Sequence, residues 1–375
     1  MAGQNQDEDQ TAPLYGDLLE AVFSHVPLID LMPASHVSKT WRSAVFSHLY
    51  NSPRVKPWLI VHTQSRRNPS MTTIHAYDPH SHVWIEIMQT QIKFSCTLKS
   101  SHSTFLYMLS PSKFTFSFDP LNATWHNVGA PVIWRSDPVV AVVGSRVVIA
   151  GGACDFEDDP VAVEMYDIDS GKWDTCQSMP AVMKDFAAST WLSIAVTNQK
   201  MYALGKNSGI ICSFDPETKR WEDPCELRPN LPIFFSVIAI SGDRLVLVGL
   251  VGDVENIESL SIWDVNCDTF NCKEMGKMPP EMLERLTNAN TPLSSIDVSS
   301  AGDLIYIYNP SDPVWIFYCE FTNGVCQWGN FRNLILNDRN RMNWFVFTCS
   351  KVGIDDLHKA FWSINRKLSV KLTGN

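Results

Sequence analysis

The sequence predicts a mainly β protein, a β-propeller of about six four-stranded blades that follows a small all-α module. The main observation is a recurring sequence motif in which an aromatic residue and Asp precede a tight turn, and a Trp follows the Asp by six positions. Its clear copies are Tyr77-Asp78 with Trp84, Phe118-Asp119 with Trp125, Tyr166-Asp167 with Trp173 and Phe214-Asp215 with Trp221. Weaker copies run from Trp263-Asp264 to Phe270 and from Phe317-Tyr318 to Trp328. A period of about 45 residues indicates an array of similar structural units.

Each repeat predicts a set of antiparallel strands. An alternating apolar run ends in the aromatic residue, the turn begins with Asp, and the closing aromatic residue opens the next strand. Asp suits such a turn because its carboxylate can cap its own backbone. Two more strand-like runs precede this hairpin in most copies, and a propeller blade requires four strands. We therefore expect the repeated Asp residues to cap turns and not to act as general acids or bases.

The two ends of the repeat array predict how the ring closes. With strands named A to D from the centre outward, the first repeat supplies B over 58–63, C over 73–77 and D over 83–87, but no A. The apolar run from Trp344 to Cys349 is left over after the sixth repeat. We expect this run to be strand A of the first blade, because closure removes two free sheet edges that would otherwise promote aggregation.

The composition limits the classes of protein and of partner. The chain has 375 residues, of which 45% are hydrophobic and 19% charged, as in soluble globular proteins. Its net charge of −10 argues against nucleic acid as a partner. No apolar run is long enough for a membrane helix, and the polar, acidic start does not resemble a signal or transit peptide. Ten Cys residues without a CxxC pair indicate reduced thiols in the cytoplasm or nucleus.

The N-terminal part predicts three short helices over residues 13–50, after a polar stretch at 1–12 that we expect to be disordered. Leu18, Leu19 and Val22 recur at helical spacing after Asp17, and Val37 and Trp41 lie four residues apart in the third helix. A linker is expected at 51–57 and the propeller at 58–352. In the tail at 353–375, i, i+4 apolar spacing predicts a short helix that packs on the propeller or, as the less favoured alternative, on a partner surface.

The stretch from Leu14 to Val45 resembles an F-box: an acidic-Leu-Leu-Glu helix, a Pro, an Asp-Leu pair and then Val-Ser-Lys-x-Trp-Arg. The family usually has Leu-Pro where this chain has Leu14-Tyr15. The repeats resemble kelch repeats, most clearly in the third copy, where Gly151-Gly152 precedes Tyr166-Asp167, Trp173 and Met179-Pro180. As a whole, the chain resembles plant F-box/kelch-repeat proteins.

This resemblance implies a non-catalytic substrate-receptor subunit of an SCF-type cullin-RING ubiquitin ligase. The F-box would bind the Skp-family adaptor and, through it, the cullin and the RING subunit. The residues expected to contact the adaptor are Leu14, Leu18, Leu19, Val22, Val37, Ser38 and Trp41. A module of about 40 residues is too small for a self-sufficient core, which agrees with an interface. The alternative is a helical cap that simply packs on the propeller.

The expected topology also predicts where a protein substrate binds. In an antiparallel blade the A–B and C–D turns lie on one face, where the N-terminal module enters, and the longer B–C and D–A loops lie on the far face. Binding residues concentrate on loops that a rigid scaffold holds. The candidate contacts on the far face are Arg66, Arg67, Arg135, Lys184, Asp185, Arg285 and Arg341. Each of them could equally be a solvated loop charge.

The sequence offers less support for a metal site or an enzyme. His75, His80 and His82 lie near the first turn. Two His on an exposed hairpin, with no third ligand or Cys at fixed spacing, are usually surface residues, so we expect no metal site and no cofactor. A copper-radical oxidase of the kelch type needs clustered Tyr and His ligands, which the sequence does not bring together. A propeller scaffold that acts outside a ligase remains the main alternative.

Overall fold

The computed structural model describes residues 16–51, 56–89, 94–121, 124–152, 159–188, 190–229, 232–287, 293–322, 324–337, 343–363 and 366–371. The stretch 1–12, Leu14, most of the expected linker and Arg341 lie outside these ranges.

Three helices form the N-terminal helical module (residues 16–51): α1 (Gly16–Phe23), α2 (Leu28–Ser35) and α3 (Lys39–Asn51). Helix α1 buries Leu19 and Phe23, which lie one turn apart. The ring of Trp41 in α3 meets the ring of Phe23 edge-on, with 5.3 Å between centroids. An edge-to-face pair of this kind adds to the stabilisation by apolar burial. The three helices therefore pack on one another, and their buried side chains belong to an apolar cluster that also includes Trp58 of the propeller.

Six antiparallel sheets follow, one for each blade of a propeller. The first three blades contain β1 (Trp58–Gln64), β2 (Thr72–Asp78), β3 (Val83–Gln89), β4 (Leu106–Ser110), β5 (Lys113–Ser117), β6 (His126–Gly129), β7 (Val139–Val143), β8 (Arg146–Ala150), β9 (Val163–Asp167) and β10 (Lys172–Thr175). A 3-10 helix at Ala181–Phe186 leads to the fourth blade, with β11 (Leu192–Val196), β12 (Met201–Gly205), β13 (Ile210–Asp215), β14 (Arg220–Trp221) and β15 (Cys225–Glu226).

The fifth blade contains β16 (Ile233–Ser241), β17 (Arg244–Gly252), β18 (Ile257–Val265) and β19 (Cys272–Lys277), and helix α4 (Pro280–Thr287) follows it. The sixth contains β20 (Asp297–Ala301), β21 (Leu304–Tyr308), β22 (Trp315–Thr322) and β23 (Val325–Arg332). The chain continues with β24 (Trp344–Ser350), α5 (Ile354–Trp362) and β25 (Arg366–Lys371). The prediction of a mainly β fold, with a six-bladed propeller after N-terminal helices, is confirmed.

The ring closes as predicted, but the closing blade has an unexpected fifth strand. Strand β24 pairs antiparallel with β1 over its whole length, from Trp344 opposite Gln64 to Ser350 opposite Trp58. Strand β25 then pairs with the outer edge of β3, with Leu368 opposite Ile87. The sequence analysis missed β25, although its Leu368 and Val370 alternate with polar residues as in a half-buried strand.

The turns between the two outer strands of a blade follow the predicted chemistry. The side-chain oxygens of Asp78, Asp167 and Asp215 each accept a hydrogen bond from a backbone N–H two or three residues later. In the fifth blade this position belongs to Asn266, which accepts hydrogen bonds from the N–H groups of residues 268 and 269. The predicted fifth copy, Trp263-Asp264 with Phe270, is therefore wrong by two residues. The turn-capping position is Asn266 and not Asp264, and Phe270 lies in the turn itself with a φ of 53°.

Within the described residues, the second blade has three strands, β4 to β6. In place of an innermost strand, the chain before β4 forms one isolated β-bridge to it, between Lys99 and Tyr107. The segment after Lys99 instead joins neighbouring blades near the centre of the ring. The Ser101 hydroxyl accepts a hydrogen bond from the Val140 N–H of the third blade. The Ser103 hydroxyl accepts one from Ser300 N–H, and the Ser103 carbonyl accepts one from Cys349 N–H. This segment therefore links the second blade to the inner strands of the third, sixth and first blades.

The helical module lies against the first blade. The imidazole of His48 in α3 is 6.5 Å from that of His80, in the turn between β2 and β3, which is on the predicted face of the propeller. Helix α5 contacts α2, and its Leu357 belongs to the same apolar cluster as Met32 of α2 and Trp58 of β1. Within the described ranges, no helix is both long and apolar enough to cross a membrane.

Candidate functional site

The helical module carries apolar side chains that it does not cover itself. Leu18 and Val22 in α1 are 53% and 48% exposed, whereas Leu19 and Phe23 on the neighbouring side of the helix are buried. Val37, between α2 and α3, is 63% exposed. Helix α1 is thus apolar on two sides, and only one of them faces a core. Several exposed aliphatic side chains on one small module are typical of a protein-binding surface.

The other residues predicted to contact the adaptor have roles inside the module. Leu19 is 2% exposed, so the prediction that it contacts a partner is wrong for the module in this conformation. The Ser38 hydroxyl accepts a hydrogen bond from Trp41 N–H at 3.1 Å and so caps the first turn of α3. The Trp41 ring is partly buried against Phe23. Among the predicted contacts within the described ranges, Leu18, Val22 and Val37 therefore present the most exposed apolar side chains to a partner.

The contact between module and propeller affects two titratable groups. Burial, and then the nearby His80, lower the pKa of His48, while Glu20 acts in the opposite direction. Burial also raises the pKa of Asp30 in α2. Both effects favour the neutral form, as expected where a helical module packs on another surface.

A wide cavity opens on the far face of the propeller, at the ends of the inner strands. Its volume is about 1630 Å³. It is lined by the start of the loop after β1, by the segment Lys99–Ser103 and by the first residues of β11, β16, β20 and β24. The substrate was predicted to bind on this face, and we call this cavity the funnel. Concave sites of this kind favour ligand binding over flat surfaces.

Two tryptophans stand at the mouth of the funnel. Trp344, the first residue of β24, is 43% exposed, and Trp191, directly before β11, is 49% exposed. They occupy equivalent positions in the first and fourth blades, which face each other across a ring of six. The Arg66 guanidinium lies 5.6 Å from the centre of the Trp344 ring. On the opposite side, the Trp191 carbonyl accepts a hydrogen bond from the backbone N–H of Lys206, which also lines the funnel.

The walls of the funnel are rich in hydroxyl groups and contain one internal ion pair. Lys99 Nζ lies 3.0 Å from Asp137 Oδ1, which neutralises both charges locally. The Ser193 hydroxyl bridges the inner strands of the fourth and fifth blades through the N–H and C=O of Ile238. Aromatic rims with polar walls suit a peptide or loop, because rings supply contact area and hydroxyls supply adaptable hydrogen bonds.

The structure distributes the predicted substrate contacts unevenly. Arg66 lines the funnel. Arg67 is exposed on the same loop but does not line the cavity, and Lys184 and Asp185 are exposed on the 3-10 helix outside it. Arg285 lies on α4, where its guanidinium covers the Trp315 ring at 5.1 Å and donates a hydrogen bond to Asn330. Of the predicted cationic contacts within the described ranges, Arg66 is therefore the one that lines the funnel.

The prediction that Arg135 is a surface contact is wrong. Its side chain is completely buried and forms an ion pair with Glu164, with 3.0 Å between Nη2 and Oε2. Its Nη1 also donates hydrogen bonds to the carbonyl oxygens of Gly151 and Ala162. A buried guanidinium needs such partners because an unpaired buried charge is strongly unfavourable. Arg135 thus fastens a loop and does not present a charge to a partner.

Sequence reasoning missed the two tryptophans and Lys206 as candidate contacts. A Trp directly before or at the start of an inner strand was the available signal, since such a position lies at the rim and not between blades. The expectation that His75 lies on the surface is also wrong, because its ring is 4% exposed between strands of the first blade. Within the described ranges, no three His, Cys, Asp or Glu side chains come together as metal ligands would.

Comparison with known proteins agrees with the two-part architecture. The family model of the F-box domain matches residues 16–52, which are the helical module. A protein of Arabidopsis thaliana described as an F-box/kelch-repeat protein is 39% identical over 371 residues, covering 94% of this chain and 93% of its own length. The similarity therefore extends through the helices and the whole propeller. The chain belongs to the plant F-box/kelch-repeat proteins.

Proposed function

We propose that this chain is a substrate receptor of an SCF-type ubiquitin ligase, in which the F-box binds the Skp-family adaptor and the propeller binds the protein to be ubiquitinated. The observation that carries the proposal is the placement of two exposed surfaces. The F-box packs beside the turn that contains His80, and the funnel with Trp191 and Trp344 opens at the other end of the inner strands. A ligase on one side and a target on the other can bind at the same time.

The adaptor would contact Leu18, Val22 and Val37. Their combined exposure has no function within the F-box, whose core is formed by Leu19, Phe23 and other residues. Burying aliphatic side chains of this size in a partner's groove contributes about 1.5–3 kcal/mol each when the burial is complete. Three such anchors are sufficient for a specific complex when the rest of the contact excludes water.

The target protein would be held in the funnel, and this chain would take no covalent part in the reaction. A receptor accelerates ubiquitin transfer by holding the target lysine close to the transferring subunit, which raises its effective concentration. The rigid ring of blades suits this role, because it fixes the distance between the F-box and the captured target. The structure is consistent with a binding protein, since hydroxyl and aromatic groups dominate the funnel.

We place this function in the cytoplasm or nucleus. The nine cysteines within the described ranges are all free thiols. Burial raises the pKa of Cys212 to about 12 and the pKa of Cys176 to about 11, so both stay protonated at neutral pH. Unreactive buried thiols and an absence of cross-links among these nine residues fit a reducing compartment.

Co-precipitation with purified Skp-family adaptor and cullin tests the ligase role. The wild-type chain should capture both, and Leu18→Ala/Val37→Ala should lose most of the adaptor. Val132→Ala/Val325→Ala is the matched control, because these valines are 87% and 62% exposed on the propeller. No capture by a folded wild-type chain would refute the ligase role and leave a propeller scaffold that works outside a ligase.

A further inference from the structure

Helix α5 ends in two aromatic side chains that the protein leaves largely exposed. Phe361 is 43% exposed and Trp362 is 61% exposed. Both contact the imidazole of His36 at the end of α2, with centroid distances of 5.6 Å in each case, one stacked and one edge-on. A tail segment thus brings large apolar groups to the F-box.

The segment that carries these rings is firmly attached. Leu357 and Ala360, on the inner side of α5, are buried. The Asp356 carboxylate accepts a hydrogen bond from Gly353 N–H at 3.0 Å and so caps the start of the helix. Strand β25, directly after α5, is paired along β3. Trp362 Nε1 donates to His358 Nε2 at 3.2 Å, which orients the indole.

The aromatic pair continues the surface of the F-box. His36, which both rings contact, directly precedes Val37, one of the three exposed aliphatic residues of the F-box. We propose that Phe361 and Trp362 belong to the adaptor-binding surface, so that the C-terminal helix and the F-box together bind the Skp-family adaptor. This inference rests on the proposed ligase function and extends it to a segment about 310 residues away in sequence.

The charges around this surface indicate the chemistry of the partner. Residues 36–43 and 358–363 contain Lys39, Arg42 and Lys359 but no Asp or Glu, although the whole chain has a net charge of −10. All three cations are exposed. An apolar patch with a cationic rim is complementary to an apolar groove bordered by carboxylates. Two copies of this chain would bring like charges together here, which disfavours self-association through the same patch.

The dissociation constant for purified Skp-family adaptor tests the proposal, measured by calorimetry on full-length chains. Phe361→Ala/Trp362→Ala should weaken binding at least tenfold, because large aromatic anchors that become buried dominate protein interfaces. Lys359→Glu, at an exposed position, should weaken it severalfold at low salt and much less at high salt. Val132→Ala/Val325→Ala is the control and should bind like wild type, since these exposed valines lie on the propeller outside the F-box and the funnel.

Four results decide the matter. Tenfold weakening with an unchanged melting temperature supports the wider surface. Equal affinity, within twofold, of wild type and both α5 variants overturns it and limits the adaptor surface to α1–α3. A change in oligomeric size with unchanged adaptor affinity also overturns it and assigns the patch to contacts between copies. If the wild-type chain does not bind the adaptor at all, the ligase role itself fails and this inference fails with it. If the Phe361→Ala/Trp362→Ala variant unfolds, the adaptor affinity of Lys359→Glu tests the proposal in its place.

Discussion

Arg135 and Glu164 form an ion pair from which water is excluded on all sides, with exposed fractions of 0% and 2% for the two side chains. The Glu164 carboxylate also accepts hydrogen bonds from the backbone N–H groups of Val132 and Ile133. The pair therefore fastens the loop between the second and third blades to β9 of the third. An arginine that the sequence offered as a surface contact instead stabilises the scaffold.

Breaking this pair should strongly destabilise the propeller. We expect Arg135→Ala to lower the free energy of unfolding by about 3–5 kcal/mol, because Glu164 would be left as a buried charge without its cation. Urea denaturation followed by tryptophan fluorescence measures the loss. Arg67→Ala, at an exposed position, is the control and should change stability by less than about 0.5 kcal/mol. A loss below about 1 kcal/mol for Arg135→Ala would contradict the buried pair.

The double glycine of the third blade should tolerate no side chain at Gly151. Its φ is +69°, and a Cβ there would lie 1.9 Å from the Ala187 carbonyl oxygen, which accepts a hydrogen bond from Gly152 N–H. Gly144 has a similar φ of +59°, but a Cβ there would meet no atom within 4 Å. Gly144→Ala should cost about 1–2 kcal/mol from backbone strain alone. Gly151→Ala should cost about 1–3 kcal/mol more from the collision, measured by the same denaturation.

Strand β25 should protect the outer edge of the first blade. Truncation after Ser363 removes the partner of β3 and exposes a row of unpaired backbone groups from Trp84 to Gln89. Exposed strand edges pair with other chains, so the truncated protein should form dimers and larger species. Size-exclusion chromatography with light scattering measures this directly. A truncated chain that stays monomeric at the concentrations where wild type does would show that β25 is dispensable for edge protection.

Two buried histidines should make the protein sensitive to acid. Burial, Arg366 and His75 lower the pKa of His62 to about 3, and burial and Lys371 lower the pKa of His75 to about 4. Both lie below the usual pKa of about 6.5, so the unfolded chain binds more protons. Above pH 6.5 both histidines are neutral in the folded and the unfolded chain, so they do not lower the free energy of unfolding. This free energy decreases as the pH falls towards 4 and then 3, and at pH 5 each histidine has lowered it by about 2 kcal/mol.

The comparison of variants isolates this effect from other titrations. His62→Leu should lose about 2 kcal/mol less than wild type between pH 7 and pH 5, because the unfolded chain then has one fewer proton acceptor in that range. His25→Leu, at an exposed histidine, is the control for the exchange of a histidine for a leucine. Parallel pH profiles for wild type and His62→Leu would contradict the buried neutral form of His62.

The funnel should decide which proteins the chain captures. Arg66→Glu/Lys206→Glu reverses the charge of two cations that line the funnel, so target proteins held by wild type should be lost. Adaptor binding should not change, because the F-box lies beside the opposite turns. Arg67→Glu/Lys184→Glu is the matched control, at exposed cations outside the cavity. Quantitative co-purification compares the variants, and equal losses for both would place the target elsewhere on the far face.

Much of the architecture could be predicted because it follows from local chemistry that repeats. Asp167 and Asp215 cap turns of the same kind, and the aromatic residue before each Asp pairs with the Trp six positions after that Asp, at Trp173 and Trp221. The shifted fifth copy escaped because Asn266 caps its turn through an amide, and the repeated pattern has Asp at this position.

The helical F-box, the repeat period, the turn chemistry and the closing of the ring by β24 all follow from the residues alone, since each depends on neighbouring residues or on counting strands. The burial of Arg135, the covering of β3 by β25 and the position of α5 beside His36 emerge only in the folded chain. These outcomes depend on which distant segments meet. The Arg135 side chain, the alternating strand β25 and the amphipathic helix α5 could each pack against several segments of the chain. The segment that each of them contacts in the fold decides whether it is exposed or buried.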